Sequence, residues 1–184
     1  MDLPFDRPDQ WTRVSRLGGG LCLALYALFF LYAWRETSGF LFLDFVNLMI
    51  HEAGHLFFAW GGHTIMLLGG TLGELLVPLL CASFFWFHRQ TYGLVFCAFW
   101  FFENFLYIGT YMADARTSAL PLVNGDESDW TLLFSQWHIL EHDQQIGHFM
   151  RALGWFGMFA AIAVLAYRLY RDSQPESELR PLTM

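Results

Sequence analysis

The chain contains no lysine and few charged residues of any kind. Its 184 residues include 10 basic side chains, all of them arginine, against 17 acidic ones, which gives a net charge of −7. Such a chain has no basic field to gather phosphates, so the composition argues against nucleic-acid binding. Because 55% of the residues are apolar and only 15% are charged, intrinsic disorder is excluded as well.

Cysteine is also scarce. Cys22, Cys81 and Cys97 all lie in apolar runs, and their odd number and wide spacing exclude both a disulfide framework and a thiolate zinc site. We interpret them as small apolar side chains.

Long apolar runs are what the chain has in abundance. A helix needs roughly 20 apolar residues to cross a bilayer core about 30 Å thick. Five runs approach that length: 17–34, 40–60, 64–87, 92–113 and 152–170. The sequence therefore predicts an all-α, polytopic transmembrane helix bundle with about five membrane segments. We expect it in the inner membrane of a prokaryotic cell, with membrane lipids as partners.

A single transmembrane domain is expected over residues 17–171, between an N-terminal tail at 1–16 and a polar tail at 172–184. Its only long polar stretch is 114–150, where a loop with a turn at Asn124-Gly125 precedes a short amphipathic helix predicted over 130–147. In the third run, glycines at 69, 70 and 73 followed by Pro78 indicate either a re-entrant segment or a small-residue packing face.

Arginines near both ends of the chain favour a cytoplasmic location for each terminus. They are Arg7, Arg13 and Arg16 at one end and Arg168, Arg171 and Arg180 at the other. Five spans cannot place both ends on the same side, which leaves the orientation of the C-terminus open.

Four acidic residues lie inside the predicted spans: Asp44, Glu52, Glu74 and Glu103. A charged group at bilayer depth costs roughly 2.5 to 3.5 kcal/mol, so these side chains need compensating partners. The second run also carries Asn47, His51 and His55, which follow Asp44 at intervals of three or four residues. At 3.6 residues per turn these polar side chains share one helix face.

Residues 51–55 read His-Glu-Ala-Gly-His, the H-E-x-x-H pattern. This spacing puts two imidazoles one turn apart to bind Zn²⁺ and leaves the glutamate beside the metal. The pattern predicts zinc as cofactor, His51 and His55 as ligands, and Glu52 as the general base that takes a proton from attacking water. The alternative is a packed helix whose histidines hydrogen-bond to their neighbours.

In its membrane setting this motif resembles the site-2 proteases, intramembrane zinc metalloproteases with H-E-x-x-H in a transmembrane helix. The resemblance covers roughly residues 40–115 and includes the small residue Gly54. It implies hydrolysis of a peptide bond in or near a transmembrane segment. That family completes its zinc site with an aspartate in an N-x-x-P-x-x-P-x-D-G motif, for which the nearest match here runs from Asn104 to Asp114 without the prolines.

A second polar stripe supports the choice of Asp114 independently of the resemblance. Glu103, Tyr107, Thr110 and Asp114 are spaced by four, three and four residues, so they share a face that we expect to meet the first stripe. We predict Asp114 as the third ligand, because a catalytic zinc takes three protein ligands plus water. The alternative for Asp114 is a helix-end ion pair with Arg116. Asn104 either positions substrate or makes an interhelical hydrogen bond.

Residues 138–142 form H-x-x-E-H, the inverted zinc-protease motif. This segment is amphipathic and next to water, where a solvated helix face explains it best. His138, His142 and Asp143 are retained as secondary candidates for the missing ligand. Residues 126–129 are interpreted as an exposed acidic turn.

The sequence as a whole predicts an intramembrane zinc metalloendopeptidase acting on a transmembrane peptide. The alternative is a non-catalytic zinc-binding or structural subunit of a larger membrane complex, with other membrane protein subunits as partners. A His-box di-iron oxygenase ranks lower, because the chain has only 7 histidines and no two are adjacent.

Overall fold

The computed structural model describes residues 8–121 and 127–175, and the regular secondary structure of this part of the chain is entirely helical. It comprises six α-helices: α1 (Arg16–Arg35), α2 (Asp44–Phe58), α3 (His63–Phe87), α4 (Thr91–Ala113), α5 (Asp129–Gln136) and α6 (Asp143–Asp172). Short 3-10 turns at Ala59–Gly61 and Leu140–His142 precede α3 and α6. The predicted all-α bundle is confirmed. The turn predicted at Asn124-Gly125 lies outside the described residues.

Four helices are long and apolar enough to cross a membrane: α1, α3, α4 and α6. Large apolar side chains cover much of their outer surface, as expected where lipid replaces water. The second predicted run does not give a helix of spanning length. Its helix, α2, has 15 residues and so measures about 22 Å, less than the hydrocarbon core.

Helix α2 begins inside the bundle. Near its first turn, Asn47 Nδ2 donates to Glu103 Oε2 over 3.1 Å, and Glu103 lies about 15 Å before the end of α4. The preceding loop returns along α1, where the Phe42 N–H donates to Tyr32 Oη over 3.0 Å. The chain therefore runs from the end of α1 into the interior of the bundle, turns there, and returns through α2 to the end of the bundle at which α1 ended.

Helix α3 is continuous from His63 to Phe87 although Pro78 lies inside it, so the re-entrant interpretation of this segment is wrong. Its glycines form a packing face instead. A methyl group on Gly54 of α2 would overlap the Gly69 carbonyl oxygen, which shows how closely the two backbones approach. The two helices are antiparallel, since His51 faces Glu74 while His55 faces Met66.

Helix α4 is the centre of the bundle and packs most extensively against α6 and α3. Phe99 and Ile108 on α4 are almost completely buried. Gly109 of α4 and Gly147 of α6 are in close backbone contact, because a methyl group on either would overlap the other's carbonyl oxygen.

The amphipathic helix predicted over 130–147 is divided in two. Helix α5 ends at Gln136, and His138 has a φ of 58°, a left-handed conformation that a continuing helix cannot contain. Residues from Asp143 onward belong to α6. The apolar face of α5 is buried against the end of α4 through Trp130, Leu133 and Phe134.

The two ends of the described chain meet at one end of the bundle, which we call the terminal end. The Val14 N–H donates to Asp172 Oδ2 over 2.9 Å, and the Thr91 N–H donates to Thr12 Oγ1 over 2.9 Å. The opposite end, where α5 lies, is called the α5 end. Arg7 and Arg180 lie outside the described residues.

Candidate metal centre

The two histidines of the H-E-x-x-H pattern lie near the α5 end, between α2, α3 and α5. Their ring centroids are 4.7 Å apart with the planes nearly perpendicular. Close packing of α2 on α3 fixes their position, because a methyl group on Gly70 would overlap the His51 ring. His51 is buried and His55 is half-buried.

Asp129, the first residue of α5, completes a three-residue cluster. Its Oδ2 lies 3.1 Å from His51 Nε2 and 3.3 Å from His55 Nε2. Donor atoms of all three side chains lie within 4.8 Å of one another. Two imidazole nitrogens and one carboxylate oxygen at this separation form a possible metal site.

The other ring nitrogen of each histidine faces an acceptor on α3. His55 Nδ1 lies 2.7 Å from the Met66 carbonyl oxygen, and His51 Nδ1 lies 3.5 Å from Glu74 Oε1. The carbonyl contact places a proton on His55 Nδ1, and a metal at the cluster would displace the protons that the two Nε2 atoms donate to Asp129. Both rings therefore turn the same kind of nitrogen towards Asp129.

Tyr111 of α4 holds Asp129 in place. Tyr111 Oη donates to Asp129 Oδ2 over 3.3 Å, and it accepts from the Asp129 N–H over 3.2 Å. Burial alone would raise the pKa of Asp129, but hydrogen bonds from His51 and His55 lower it to about 2. Asp129 is therefore ionised at neutral pH, as a metal ligand must be.

The cluster forms part of the wall of a cavity of about 490 Å³. Glu52 lines this cavity together with both histidines and Asp129. Apolar residues such as Leu48 and Leu132 line it as well, as do Tyr107 and Tyr111. The Glu52 carboxylate, which is not part of the three-residue cluster, thus lines the same cavity as the three donor residues.

The start of α2 carries a separate buried polar network. Asn47 Nδ2 donates to Asp44 Oδ1 over 3.1 Å as well as to Glu103, and Trp100 Nε1 donates to Asn47 Oδ1 over 2.8 Å. The Leu41 N–H donates to Asp44 Oδ2 over 2.6 Å. These contacts compensate Asp44 and one oxygen of Glu103, whereas Glu103 Oε1 has no hydrogen-bond partner among the described residues.

The structure does not bring Asp114 to the histidines. Asp114 ends α4, and its carboxylate accepts hydrogen bonds from the Ala119 and Leu120 N–H groups of the following loop. The proposed pair with Arg116 does not form either, since Arg116 Nη2 lies 2.7 Å from Asp143 Oδ1. Asp129 takes the position that sequence spacing assigns to Asp114.

The remaining predicted residues also lie apart from the cluster. Asn104 Nδ2 donates to the carbonyl oxygens of Glu74 and Trp100, so it makes an interhelical hydrogen bond. Asp143 is fully buried and ion-paired with Arg116. His138 and His142 are both exposed residues of the connection between α5 and α6, and neither belongs to the cluster found among residues 8–121 and 127–175.

Sequence reasoning missed Asp129, which it placed in an exposed acidic turn. The available signal was the apolar spacing of Trp130, Leu133 and Phe134, which marks one buried face of a short helix. That face orients α5 on α4 and carries the residue at its start inwards. Nothing in the local pattern says which cluster Asp129 meets.

Comparisons of the chain with protein-family models, with curated proteins and with solved structures found no match.

Proposed function

We propose that the chain binds one zinc ion through His51 Nε2, His55 Nε2 and Asp129 Oδ2. Two donors bound to tetrahedral zinc at 2.0–2.1 Å lie about 3.3 Å from each other. The oxygen of Asp129 lies 3.1 and 3.3 Å from the two nitrogens, which is the spacing that zinc needs, and all three donor atoms lie within 4.8 Å of one another. Two imidazoles and a carboxylate are also a donor set that zinc accepts.

We further propose that the site is catalytic. Three protein donors leave a fourth zinc position open, which is the arrangement of catalytic rather than structural sites. Beside the donors lies a cavity of about 490 Å³ with Glu52 in its wall. This juxtaposition is the observation that carries the proposal, because a structural site needs neither the space nor the carboxylate.

The chain's own residues support hydrolysis in the following way. A zinc ion held by His51, His55 and Asp129 would supply Lewis acidity to a carbonyl oxygen and to the attacking water. Glu52 accepts the proton of the attacking water and returns it to the leaving nitrogen. Tyr111 and Glu74 contact Asp129 and His51 and so limit the orientations of these two side chains.

The reaction we propose is endopeptidase cleavage of a peptide bond in or near a transmembrane segment. The cluster is formed by α2, which starts inside the bundle, and by α5, which packs at its end. A membrane peptide that unwinds near this end would reach the cavity. The resemblance of residues 51–55 to the site-2 protease motif supports the same reaction, with zinc as its cofactor.

We also propose the inner membrane of a prokaryotic cell as the location, with the terminal end of the bundle on the cytoplasmic side. Arg13, Arg16, Arg89, Arg168 and Arg171 all lie at or near that end, and an excess of arginine marks cytoplasmic loops. The candidate metal centre then lies in the opposite half of the bilayer.

Purified protein with Glu52→Gln tests the catalytic proposal against its structural alternative. The probe is fluorescein-labelled casein, a generic unfolded substrate, together with labelled single-span peptides in the same micelles. We expect cleavage to fall by at least about 100-fold, since a general base contributes 10²–10⁴-fold, while bound zinc per chain stays unchanged.

Equal cleavage by wild type and Glu52→Gln would contradict the role of Glu52. Stoichiometric zinc with no cleavage of any probe by wild type would favour the non-catalytic zinc-binding subunit. A matched control, Glu127→Gln, changes another carboxylate of the same cavity wall and is expected to retain cleavage.

A further inference from the structure

The terminal end of the bundle contains a cavity of about 460 Å³ in which arginines outnumber acids. Four arginines and two aspartates line it: Arg13, Arg89, Arg168, Arg171, Asp9 and Asp172. Asp172 is shared, since its Oδ1 accepts from Arg171 over 3.0 Å while Oδ2 lies 3.6 Å from Arg168. Even when Arg13 is left out of the count, three arginines face two aspartates in this lining.

Two of these arginines carry buried donors without an acceptor. Among the described residues, neither Arg89 Nε nor Arg168 Nε has a hydrogen-bond partner, although both atoms are inaccessible to solvent. The Arg168 side chain is only 13% exposed and lies over the Trp11 ring at 5.9 Å. Leaving a buried charged donor unsatisfied is costly, so a side-chain rotation that turned either Nε towards an anion in the cavity would be favourable.

An apolar groove of about 1060 Å³ begins one helical turn away from this cavity. Leu165 lines the groove and Arg168 lines the cavity, three residues apart on one face of α6. Tyr92 also lines the groove near this end, and its buried Oη has no partner among the described residues. The arginine-lined cavity, the Tyr92 hydroxyl and the apolar groove thus follow one another along the bundle.

The length of the groove distinguishes between two kinds of apolar occupant. Along α1 it extends from Cys22 to Tyr32, about 15 Å, which is half of the hydrocarbon core. Its far end is bounded by Phe42, whose N–H is bonded to Tyr32 Oη. A membrane-spanning helix needs about 30 Å, whereas an acyl chain occupies one leaflet.

We propose that this end of the bundle binds an anionic phospholipid. Its phosphate accepts from Arg89 and Arg168 in the cavity, and one acyl chain lies in the groove against α1 and α4. The lipid belongs to the leaflet at the terminal end. Basic pockets between membrane helices are known to take anionic headgroups, and each arginine near the surface contributes about fivefold in affinity.

The test is native mass spectrometry of the detergent-purified full chain with added phosphatidylglycerol or phosphatidylcholine. We expect one bound phosphatidylglycerol that survives conditions in which phosphatidylcholine is lost. Arg89→Gln should weaken phosphatidylglycerol binding about fivefold, and Arg171→Gln should weaken it similarly. Arg35→Gln, at the other end of α1, should have no effect.

A second pair of variants tests the groove without altering any charge. Leu25→Trp places a large ring in the groove, whereas Leu31→Trp lies on the same helix outside it, and both positions are exposed. Only Leu25→Trp should reduce phosphatidylglycerol binding. Because both residues face outwards, neither replacement disturbs the packed core.

The proposal is overturned if the two lipids bind equally to wild type, or if Arg35→Gln weakens binding as much as Arg89→Gln. It is also overturned if inorganic phosphate displaces phosphatidylglycerol at equal concentration, since the site would then recognise a free anion. Equal effects of Leu25→Trp and Leu31→Trp would exclude the groove. None of these outcomes depends on zinc or on proteolysis.

Discussion

His55 is fixed at both nitrogens of its ring, and this feature governs what the candidate metal centre can bind. Nδ1 lies 2.7 Å from the Met66 carbonyl oxygen and Nε2 lies 3.3 Å from Asp129 Oδ2. A ring restrained in this way loses little further freedom when it binds a metal. His51 is restrained similarly, between Glu74 and Asp129.

The identity of the third ligand can be tested with two aspartates of the same chain. Asp129→Asn should weaken zinc binding by more than 10–100-fold, which is the typical cost of losing a group that only hydrogen-bonds to a metal ligand. Asp114→Asn should leave zinc affinity unchanged, because its carboxylate only caps the loop after α4. Zinc affinity is measured by competition with a chelator of known affinity. The reverse ranking would show that the sequence-based choice of Asp114 was right.

The contact between Glu74 and His51 predicts a smaller effect. Glu74→Gln keeps the size of the side chain but removes the charge that faces His51 Nδ1 at 3.5 Å. We expect zinc affinity to fall about 10-fold. Glu103→Gln is the matched control, since Glu103 is equally buried but hydrogen-bonds to Asn47 instead. A loss of affinity in Glu103→Gln alone would contradict the assigned contacts.

At the scale of helices, the sequence predicts which segments are apolar helices better than it predicts how long each helix is or how it packs. The spacing of His51 and His55 is local, so a helix is enough to bring them together. Asp129 is 78 residues from His51 along the chain, and only the packing of α5 brings it there. The shortness of α2 was equally hidden, because apolar residues of its preceding loop continue the run.

The glycine contact between α2 and α3 gives a prediction at this scale. Gly54→Ala places a methyl group against the Gly69 carbonyl, and backbone cannot move aside as a flexible side chain does. Overpacking of this kind costs about 1–3 kcal/mol, so we expect a lower midpoint of thermal unfolding in detergent. Gly20→Ala on α1, with open space around it, is the control. Equal midpoints would show that α2 and α3 are not in close contact.

For the whole molecule, both ends of the described chain lie at the same end of the bundle, because the Val14 N–H is hydrogen-bonded to Asp172. Four helices are long and apolar enough to cross a membrane, and an even number of crossings would agree with arginines near both ends. Counting the run of α2 as a fifth span is what made those arginines conflict in the sequence. The length of α2 could be predicted only roughly from the apolar run at 40–60, because the sequence of that run does not show where the helix begins.

The arrangement of the ends predicts which positions are labelled from the same side. Single cysteines at Gln10 and Gln174 should react with an impermeant maleimide from one side of sealed vesicles, and one at Ser135 from the other. The background carries alanine at the three native cysteines, so that only the introduced thiols react. Labelling of Gln10→Cys and Gln174→Cys from opposite sides would require an odd number of spans and contradict the structure.

The central claim is that the two imidazoles of α2 and the carboxylate of α5 hold one zinc ion. X-ray absorption spectroscopy at the zinc edge, on purified full chain with its zinc content determined, tests this most directly. We predict about one zinc per chain, with two imidazole nitrogens at 2.0–2.1 Å, oxygen in the remaining positions and no sulfur. Protein without bound zinc, or zinc whose spectrum lacks imidazole scattering, would contradict the account.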